Sequence, residues 1–203
     1  MDLSTIFESV TAQLTDQQST LNEADTYNHD HGDHMVQIFS LIQNAVSQKS
    51  EQPVAEQLNY ASQVVEKEAD SGSAKLYAQG LAKAAQNFSG SELQPDTLGL
   101  LVKSLLNVEE PPQKKQETGF LGSLLSGLMG KPETPKEDQK LGIDELLRAG
   151  MAFYQSKQEG GSTTEALMGA LMAASPLGAS SHRSMSGSLV GSTIMDFAKS
   201  FKN

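Results

Sequence analysis

The stretch MVQIFSLIQNAV, residues 35–46, decides the fold class of this chain. Its apolar residues recur at intervals of three and four, at Met35, Ile38, Phe39, Ile42 and Val46. This spacing places them on one face of an α-helix and predicts an amphipathic helix packed against a core. No stretch of the sequence alternates apolar and polar residues as a half-buried strand would.

The same helical spacing recurs along the chain and predicts an all-α protein of seven or eight helices. Further helices are expected at residues 3–14, 53–65, 76–88, 98–106, 143–154 and 163–174. Residues 15–34 form a polar stretch, and its last part, 28–34, is expected to be a loop between two helical segments. The stretch 175–191, which is rich in Ser and Gly, is expected to be a second loop. A last helix is expected to follow the second loop and end at Phe201.

Residues 109–140 differ from the rest of the chain because prolines and charged residues dominate them. They predict a flexible insert in a single domain that spans residues 1–203. Within the insert, GFLGSLLSGLMGK (119–131) carries its large apolar residues on one helical stripe and predicts a short amphipathic helix. This helix either packs back on the domain or docks a partner protein. A membrane surface is a weaker candidate, since the segment has one lysine.

Composition excludes several function classes. The 203 residues carry 25 acids and 15 bases, a net charge of -10, so nucleic-acid binding through a basic face is not expected. The chain has no cysteine, which excludes thiol catalysis and Cys-ligated zinc and fits a reducing compartment such as the cytoplasm. The first ten residues lack the features of a signal peptide, and no apolar run reaches the ~20 residues of a membrane span.

The densest polar cluster is NHDHGDH, residues 28–34, which holds three of the four histidines. One interpretation is a solvated loop that caps the following helix. Another is a cation site, because carboxylate and amide oxygens suit Mg²⁺ whereas imidazoles suit Zn²⁺. A zinc site would use His29, His31 and His34. These residues also match part of the motif of metallo-β-lactamase-type zinc hydrolases, but residues 23–27 do not form the buried strand that precedes the motif in that fold.

Four sequence blocks, taken in order, resemble the L-subunit domain of dihydroxyacetone kinases and the related fatty-acid kinases. The first runs from Leu21-Asn22 through Asn28-His29-Asp30-His31-Gly32 to Met35 and resembles the metal motif of the family. The second, Asp70-Ser71-Gly72-Ser73-Ala74 with Leu76-Tyr77, is similar to the phosphate loop. The third, Leu147 to Gly150 with Gly161 to Thr164, and the fourth, Gly191 to Met195, are similar to later family segments.

The resemblance implies an antiparallel barrel of eight helices whose loops at one end bind ADP or ATP and two Mg²⁺ ions. It assigns the metal to Asn28, Asp30 and, depending on a one-residue choice of alignment, Glu23 or Asn22, and it assigns the nucleotide to His31, Gly32, Ser71, Gly72, Ser73 and Thr164. In the family a K-type subunit holds the carbonyl substrate. The chain shows no substrate-holding domain of its own, so a K-type or other protein partner is implied.

The chain also departs from the family pattern. Asn28 stands where the family has a metal-binding Asp, so one formal charge is lost, and Ser71 and Ala74 replace glycines. A weaker two-metal site lowers affinity and catalytic power together. We therefore expect a diverged member whose phosphotransfer activity is weakened or lost. The alternatives are a non-catalytic interaction module that docks through the insert and the zinc site at His29, His31 and His34.

Overall fold

The computed structural model describes residues 2–107 and 163–200 of the chain. Within these ranges the backbone forms eight α-helices and two 3₁₀ turns (Pro95–Thr97 and Pro176–Ala179) and no strand, which confirms the predicted all-α class. The helices are α1 (Leu3–Asp16), α2 (Gln18–Ala24), α3 (His31–Gln48), α4 (Val54–Glu68), α5 (Gly72–Asn87), α6 (Leu98–Leu105), α7 (Thr163–Ala173) and α8 (Ser181–Ser200). The predicted insert 109–140, its helix 119–131 and the predicted helix 143–154 lie outside the described residues.

Six of these helices close a ring. In order, α1 packs on α3, α3 on α4, α4 on α5, α5 on α6, α6 on α8, and α8 returns to α1. The connections at residues 49–53 and 69–71 are too short to cross the bundle, so α3, α4 and α5 run antiparallel to their neighbours. Helix α2 lies against α3 and α8, and α7 lies against α8.

The interior of the ring is filled by the predicted apolar faces. Met35, Ile38, Phe39, Ile42 and Val46 of α3 are all buried. The Phe39 ring meets Tyr77 of α5 edge to face, with 5.0 Å between centroids, and lies 6.3 Å from Phe7 of α1. Aromatic contacts of this kind add to the free energy of burying the rings.

The polar stretch 15–34 holds a helix that its pattern does not predict, and the loop expected at 28–34 is wrong in part. Residues Gln18–Ala24 form α2, and α3 begins at His31 rather than near Asp33. Helix α2 buries only Leu21, so its sequence lacks the amphipathic pattern that marks the other helices. Such a short helix owes its stability to packing against α3 and not to its own propensity.

The expected loop at 175–191 is also wrong, because α8 begins at Ser181. Small residues serve here for close packing. A Cβ atom on Gly187 would lie 2.6 Å from the Met172 sulfur of α7, and one on Gly191 would collide with the Met168 sulfur. Both methionines are buried, as the sequence predicts for core residues. The Ser and Gly content that lowers helix propensity therefore allows α8 to approach α7 closely.

Gly80 of α5 gives a test of this close packing. A Cβ there would lie 2.8 Å from the Leu105 Cα and from the Ser104 carbonyl oxygen of α6, both backbone atoms. We expect Gly80→Ala to lower the free energy of unfolding by ~1–3 kcal/mol, as overpacking does. The control is Gly99→Ala on α6, where a Cβ meets nothing within 4 Å. It should leave stability unchanged or raise it by up to ~1 kcal/mol. Urea unfolding followed by circular dichroism measures both, and equal losses would contradict the packing argument.

Candidate functional site

The junction of α2 and α3 brings two backbones into direct contact. A Cβ on Gly32 would collide with the carbonyl oxygen of Gln18, so only glycine fits. The Asn22 side chain then reaches the start of α3, where its Oδ1 accepts from the backbone N–H of Gly32 (2.6 Å) and of Asp33 (3.3 Å). These are first-turn amides that have no acceptor within their own helix. Asn22 therefore caps α3 from a neighbouring helix.

The Asp33 carboxylate completes this junction on the surface. Its Oδ1 accepts from Asn22 Nδ2 at 3.0 Å and from Gln18 Nε2 at 2.6 Å. These hydrogen bonds, Asn22 first, lower the pKa of Asp33 below its usual value. A negative charge in the first turn of α3 also interacts favourably with the helix dipole.

His31 joins the start of α3 to α8. Its side chain is buried, and its Nε2 lies 2.9 Å from the Ser186 Oγ, 155 positions further along the chain. The Ser186 hydroxyl donates to the Arg183 carbonyl oxygen at 3.1 Å. Because that proton is already used, the hydroxyl accepts from His31, whose Nε2 must carry a hydrogen. Burial, followed by the neighbouring His182, lowers the pKa of His31 to about 4, so the ring is neutral at physiological pH.

His182 and Asp25 lie next to His31, and together with Ser186 the three residues form a polar cluster. The rings of His182 and His31 have centroids 4.6 Å apart. His182 Nδ1 lies 3.8 Å from Asp25 Oδ1, and its Nε2 lies 3.1 Å from the Ser180 Oγ. Burial alone would raise the pKa of Asp25, but a hydrogen bond from the Tyr27 N–H and the nearby His182 together lower it. A buried carboxylate thus stays ionised beside two imidazoles.

Arg183 connects this cluster to the start of α5. A Cβ on Gly72 would lie 2.6 Å from the Arg183 Nη2, so the guanidinium rests directly on the first turn of α5. Its Nε is buried and has no hydrogen-bond partner among residues 2–107 and 163–200. Ser71 caps α5 by accepting from the Ala74 N–H at 3.0 Å, and Ser73 is buried behind it. The two turns of α8 from His182 to Ser186 therefore contact α3 on one side and α5 on the other.

The structure brings together most of the residues predicted to bind the nucleotide. His31 and Gly32 lie on the α3 side of α8, and residues 71–73 lie on the α5 side. Thr164 belongs to the first turn of α7, but its side chain lies outside the described residues. Four residues around this site were not among the predicted site residues: Asp25, His182, Arg183 and Ser186. One available signal was that Arg183 is the one Lys or Arg in the Ser- and Gly-rich stretch 175–191.

The predicted metal ligands are not assembled. Glu23 and Asn28 are exposed, and Asp30 pairs with His34 at 3.3 Å. Within residues 2–107 and 163–200, no three His, Cys, Asp or Glu side chains form a group that could hold a metal ion. Two carboxylates and a neutral amide supply less negative charge than the three carboxylates of the family motif, which fits a two-Mg²⁺ centre poorly.

The three histidines of the proposed zinc site also point to different partners. His31 faces Ser186, His34 faces Asp30, and the His29 Nδ1 lies 3.3 Å from the Asn22 carbonyl oxygen. His29 has a positive φ of 56°, which turns the chain between α2 and α3. Tetrahedral zinc requires its ligands to converge on one point, and this arrangement does not provide that.

Comparison with protein-family models, with curated proteins and with solved structures finds no match to the chain. None of the helices in the described part of the chain combines the length and the apolar character that crossing a membrane requires.

The buried His31 predicts a loss of stability in mild acid. Its folded-state pKa of about 4 lies below the ordinary 6.5, so below pH 6.5 the unfolded chain binds a proton that the folded chain does not. Stability should fall as the pH drops from 6.5 towards 4, by up to ~3 kcal/mol in total. Asp25 and Asp33, whose pKa values are lowered, lose their contribution only below about pH 4.

Urea unfolding at a series of pH values between 7 and 4 measures this loss. His31→Gln should flatten the pH dependence, whatever its effect on stability at neutral pH. The control is His29→Asn, because His29 is exposed and Asn tolerates a positive φ. The free energy of unfolding of this variant should fall with decreasing pH as steeply as that of the unmodified chain. A slope that survives His31→Gln would show that another group carries it.

Proposed function

We propose that this chain is a diverged relative of the L-subunit domain of dihydroxyacetone kinases that binds ADP or ATP through its phosphates. The site lies between the starts of α3 and α5, around the first two turns of α8. One observation carries the proposal: the Arg183 guanidinium rests on Gly72 in the first turn of α5. That turn is the segment which the sequence resemblance assigns to the nucleotide phosphates.

The first turn of a long helix is well suited to an anion. Its N–H groups lack acceptors in the helix, and the dipole adds partial positive charge. In α5 the Ser71 side chain takes up the Ala74 N–H, which leaves those of Gly72 and Ser73 for a ligand. The absence of a side chain on Gly72 lets the Arg183 guanidinium lie close to the backbone of this turn.

The surroundings of the site also suit a flat apolar group such as a nucleobase. Tyr27 and Met185 are the exposed large hydrophobic residues in the described part of the chain, at 93% and 45% exposure. Tyr27 is two residues from Asp25 in the sequence, and Met185 is three residues from His182. An exposed aromatic ring beside an anion site can stack on a nucleobase.

Phosphotransfer itself is proposed to be weakened or lost, because the ligand set for two Mg²⁺ ions is not assembled in the described residues. Any remaining activity would require a partner of the K-type to hold the carbonyl substrate. The absence of cysteine agrees with a cytoplasmic location for such a complex. A chain of this kind is suited to retaining a nucleotide and presenting it to a partner.

Calorimetric titration of the full chain with ADP and ATP tests the proposal. We expect saturable binding, and Gly72→Val should weaken it by about tenfold or more, since the branched side chain would occupy the space between the guanidinium and the α5 backbone. The matched control is Gly99→Val, an open helical position, which should bind as the unmodified chain does. Absence of heat for both nucleotides would contradict the proposal and favour the non-catalytic interaction module.

A phosphotransfer assay with ATP and dihydroxyacetone, alone and with a K-type subunit, tests whether phosphotransfer is weakened or lost. We expect turnover far below the ~1–100 s⁻¹ of ordinary kinases, because residues 2–107 and 163–200 hold no group of three His, Cys, Asp or Glu that could bind a metal ion. Turnover within the ordinary range would show that the site is not degenerate.

A further inference from the structure

Ser180, His182 and Asp25 form a line of polar contacts that phosphate binding at α5 does not use. The Ser180 Oγ lies 3.1 Å from the His182 Nε2, and the His182 Nδ1 lies 3.8 Å from the Asp25 Oδ1. Each nitrogen of the imidazole therefore faces a different oxygen, a hydroxyl on one side and a carboxylate on the other. This is the order of groups in a Ser-His-Asp triad, which is recognised by its geometry and not by sequence position.

The Asp25 carboxylate determines which nitrogen of His182 carries the hydrogen. Only 5% of the Asp25 side chain is exposed, and a hydrogen bond from the Tyr27 N–H to its Oδ1 (3.1 Å) fixes its orientation. An ionised carboxylate that faces Nδ1 favours the tautomer with the hydrogen on that atom. Nε2 then accepts from the Ser180 hydroxyl and is arranged as its general base. A movement of about 1 Å brings the carboxylate to hydrogen-bond distance of Nδ1.

The backbone position of Ser180 suits a nucleophile. The residue has an extended conformation (φ -136°, ψ 152°) and immediately precedes α8, a helix of 20 residues. Its carbonyl oxygen accepts from the Ser184 N–H at 2.9 Å, so the amides of residues 181–183 have no acceptor within the helix. In serine hydrolases the N–H of the residue after the nucleophile is one of the donors that stabilise the oxyanion. Ser181 is that residue here.

The hydroxyl end of this line of contacts lies at the surface. Ser180 is half-buried and 21% of the His182 side chain is exposed, whereas Asp25 is buried. A substrate can therefore reach the hydroxyl from solvent without entering the bundle. Met185, which is 45% exposed, lies three residues beyond His182 on the same side of α8 and provides a nearby apolar side chain. These features suit a small ester with a short acyl chain.

We propose that Ser180, His182 and Asp25 form a serine esterase site, an activity separate from nucleotide binding. The Ser180 Oγ attacks the carbonyl carbon of the ester while its proton passes to the His182 Nε2. The bond from that carbon to the leaving oxygen breaks, and the leaving oxygen takes the proton and departs as the alcohol. Water then attacks the acyl-serine and gives a proton to His182, and this proton returns to the Ser180 Oγ as the carboxylic acid leaves. Asp25 positions the imidazole and stays ionised throughout.

Release of p-nitrophenolate from p-nitrophenyl acetate by the full chain tests the proposal. We expect Ser180→Ala and His182→Gln each to lower kcat/KM by about 100-fold or more, because the nucleophile and its base act as a unit. Asp25→Asn should lower kcat and leave KM unchanged, since this residue positions the base and does not touch the ester. The controls are Ser188→Ala, at a half-buried serine two turns along α8, and His29→Asn, which removes an exposed imidazole. Both should hydrolyse the ester as the unmodified chain does.

Labelling with a fluorophosphonate identifies the nucleophile independently of turnover. The reagent forms a bond from phosphorus to an activated serine oxygen and loses fluoride, and mass spectrometry of the peptides locates the adduct. We expect the adduct on Ser180. It should be lost in His182→Gln, where the hydroxyl remains but its base does not. Circular dichroism shows that each variant keeps its helices, so that a loss of labelling reports on the site and not on unfolding.

Several results would overturn the esterase site. One is the absence of both hydrolysis and labelling in the unmodified chain. Hydrolysis that survives Ser180→Ala, or that disappears in His29→Asn, would show that a surface imidazole attacks the ester directly. An adduct on a serine other than Ser180 would assign the nucleophile elsewhere. None of these results depends on the titration with ADP, so failure of the esterase site and failure of nucleotide binding are distinguishable.

Discussion

The described structure depends on one close approach, that of the α3 backbone at Gly32 to the Gln18 carbonyl oxygen. Because no side chain separates them, Asn22 reaches the first amides of α3 and satisfies them. The same approach directs His31 into the bundle, where it meets Ser186 of α8. Helix α8 then carries Arg183 to the start of α5. A side chain at Gly32 would push α3 away from α2 and shift His31, and one at Gly72 would push the Arg183 guanidinium away from α5.

This arrangement places polar groups in the interior, and each polar contact fixes a position. A buried imidazole loses its hydration and stays neutral, and its hydrogen bond with Ser186 offsets part of that loss. The benefit is specificity, since an apolar pair would tolerate sliding of α8 along α3, whereas a directed hydrogen bond does not. Ser and Gly on α8 contribute in a second way, because their small size lets the helix lie close to α7. The polar contact and the small residues together set the depth of α8 in the bundle.

The sequence predicts those helices whose own apolar spacing is enough to identify them. Helices α1, α3, α4 and α5 and the burial of Met168 and Met172 follow from apolar spacing. Helix α2 and the first half of α8 do not, because their residues are polar or small and only tertiary contacts make them helical. In the site, residues 31–32 and 71–73 stand out as local motifs. Arg183 and Ser186 gain their roles from contacts with residues far away in the chain, which no local pattern encodes.

The source of positive charge at a phosphate site bears on what the site can do. A divalent ion bridges two phosphates and stabilises the charge that develops when one is transferred. A guanidinium anchored beside a helix terminus binds the anion in its ground state and holds it in one orientation. Such a site stabilises the bound nucleotide as much as the transition state, so it contributes to affinity without a matching gain in rate. In the proposed nucleotide site, an arginine in place of converging carboxylates would therefore favour binding of the nucleotide over its consumption.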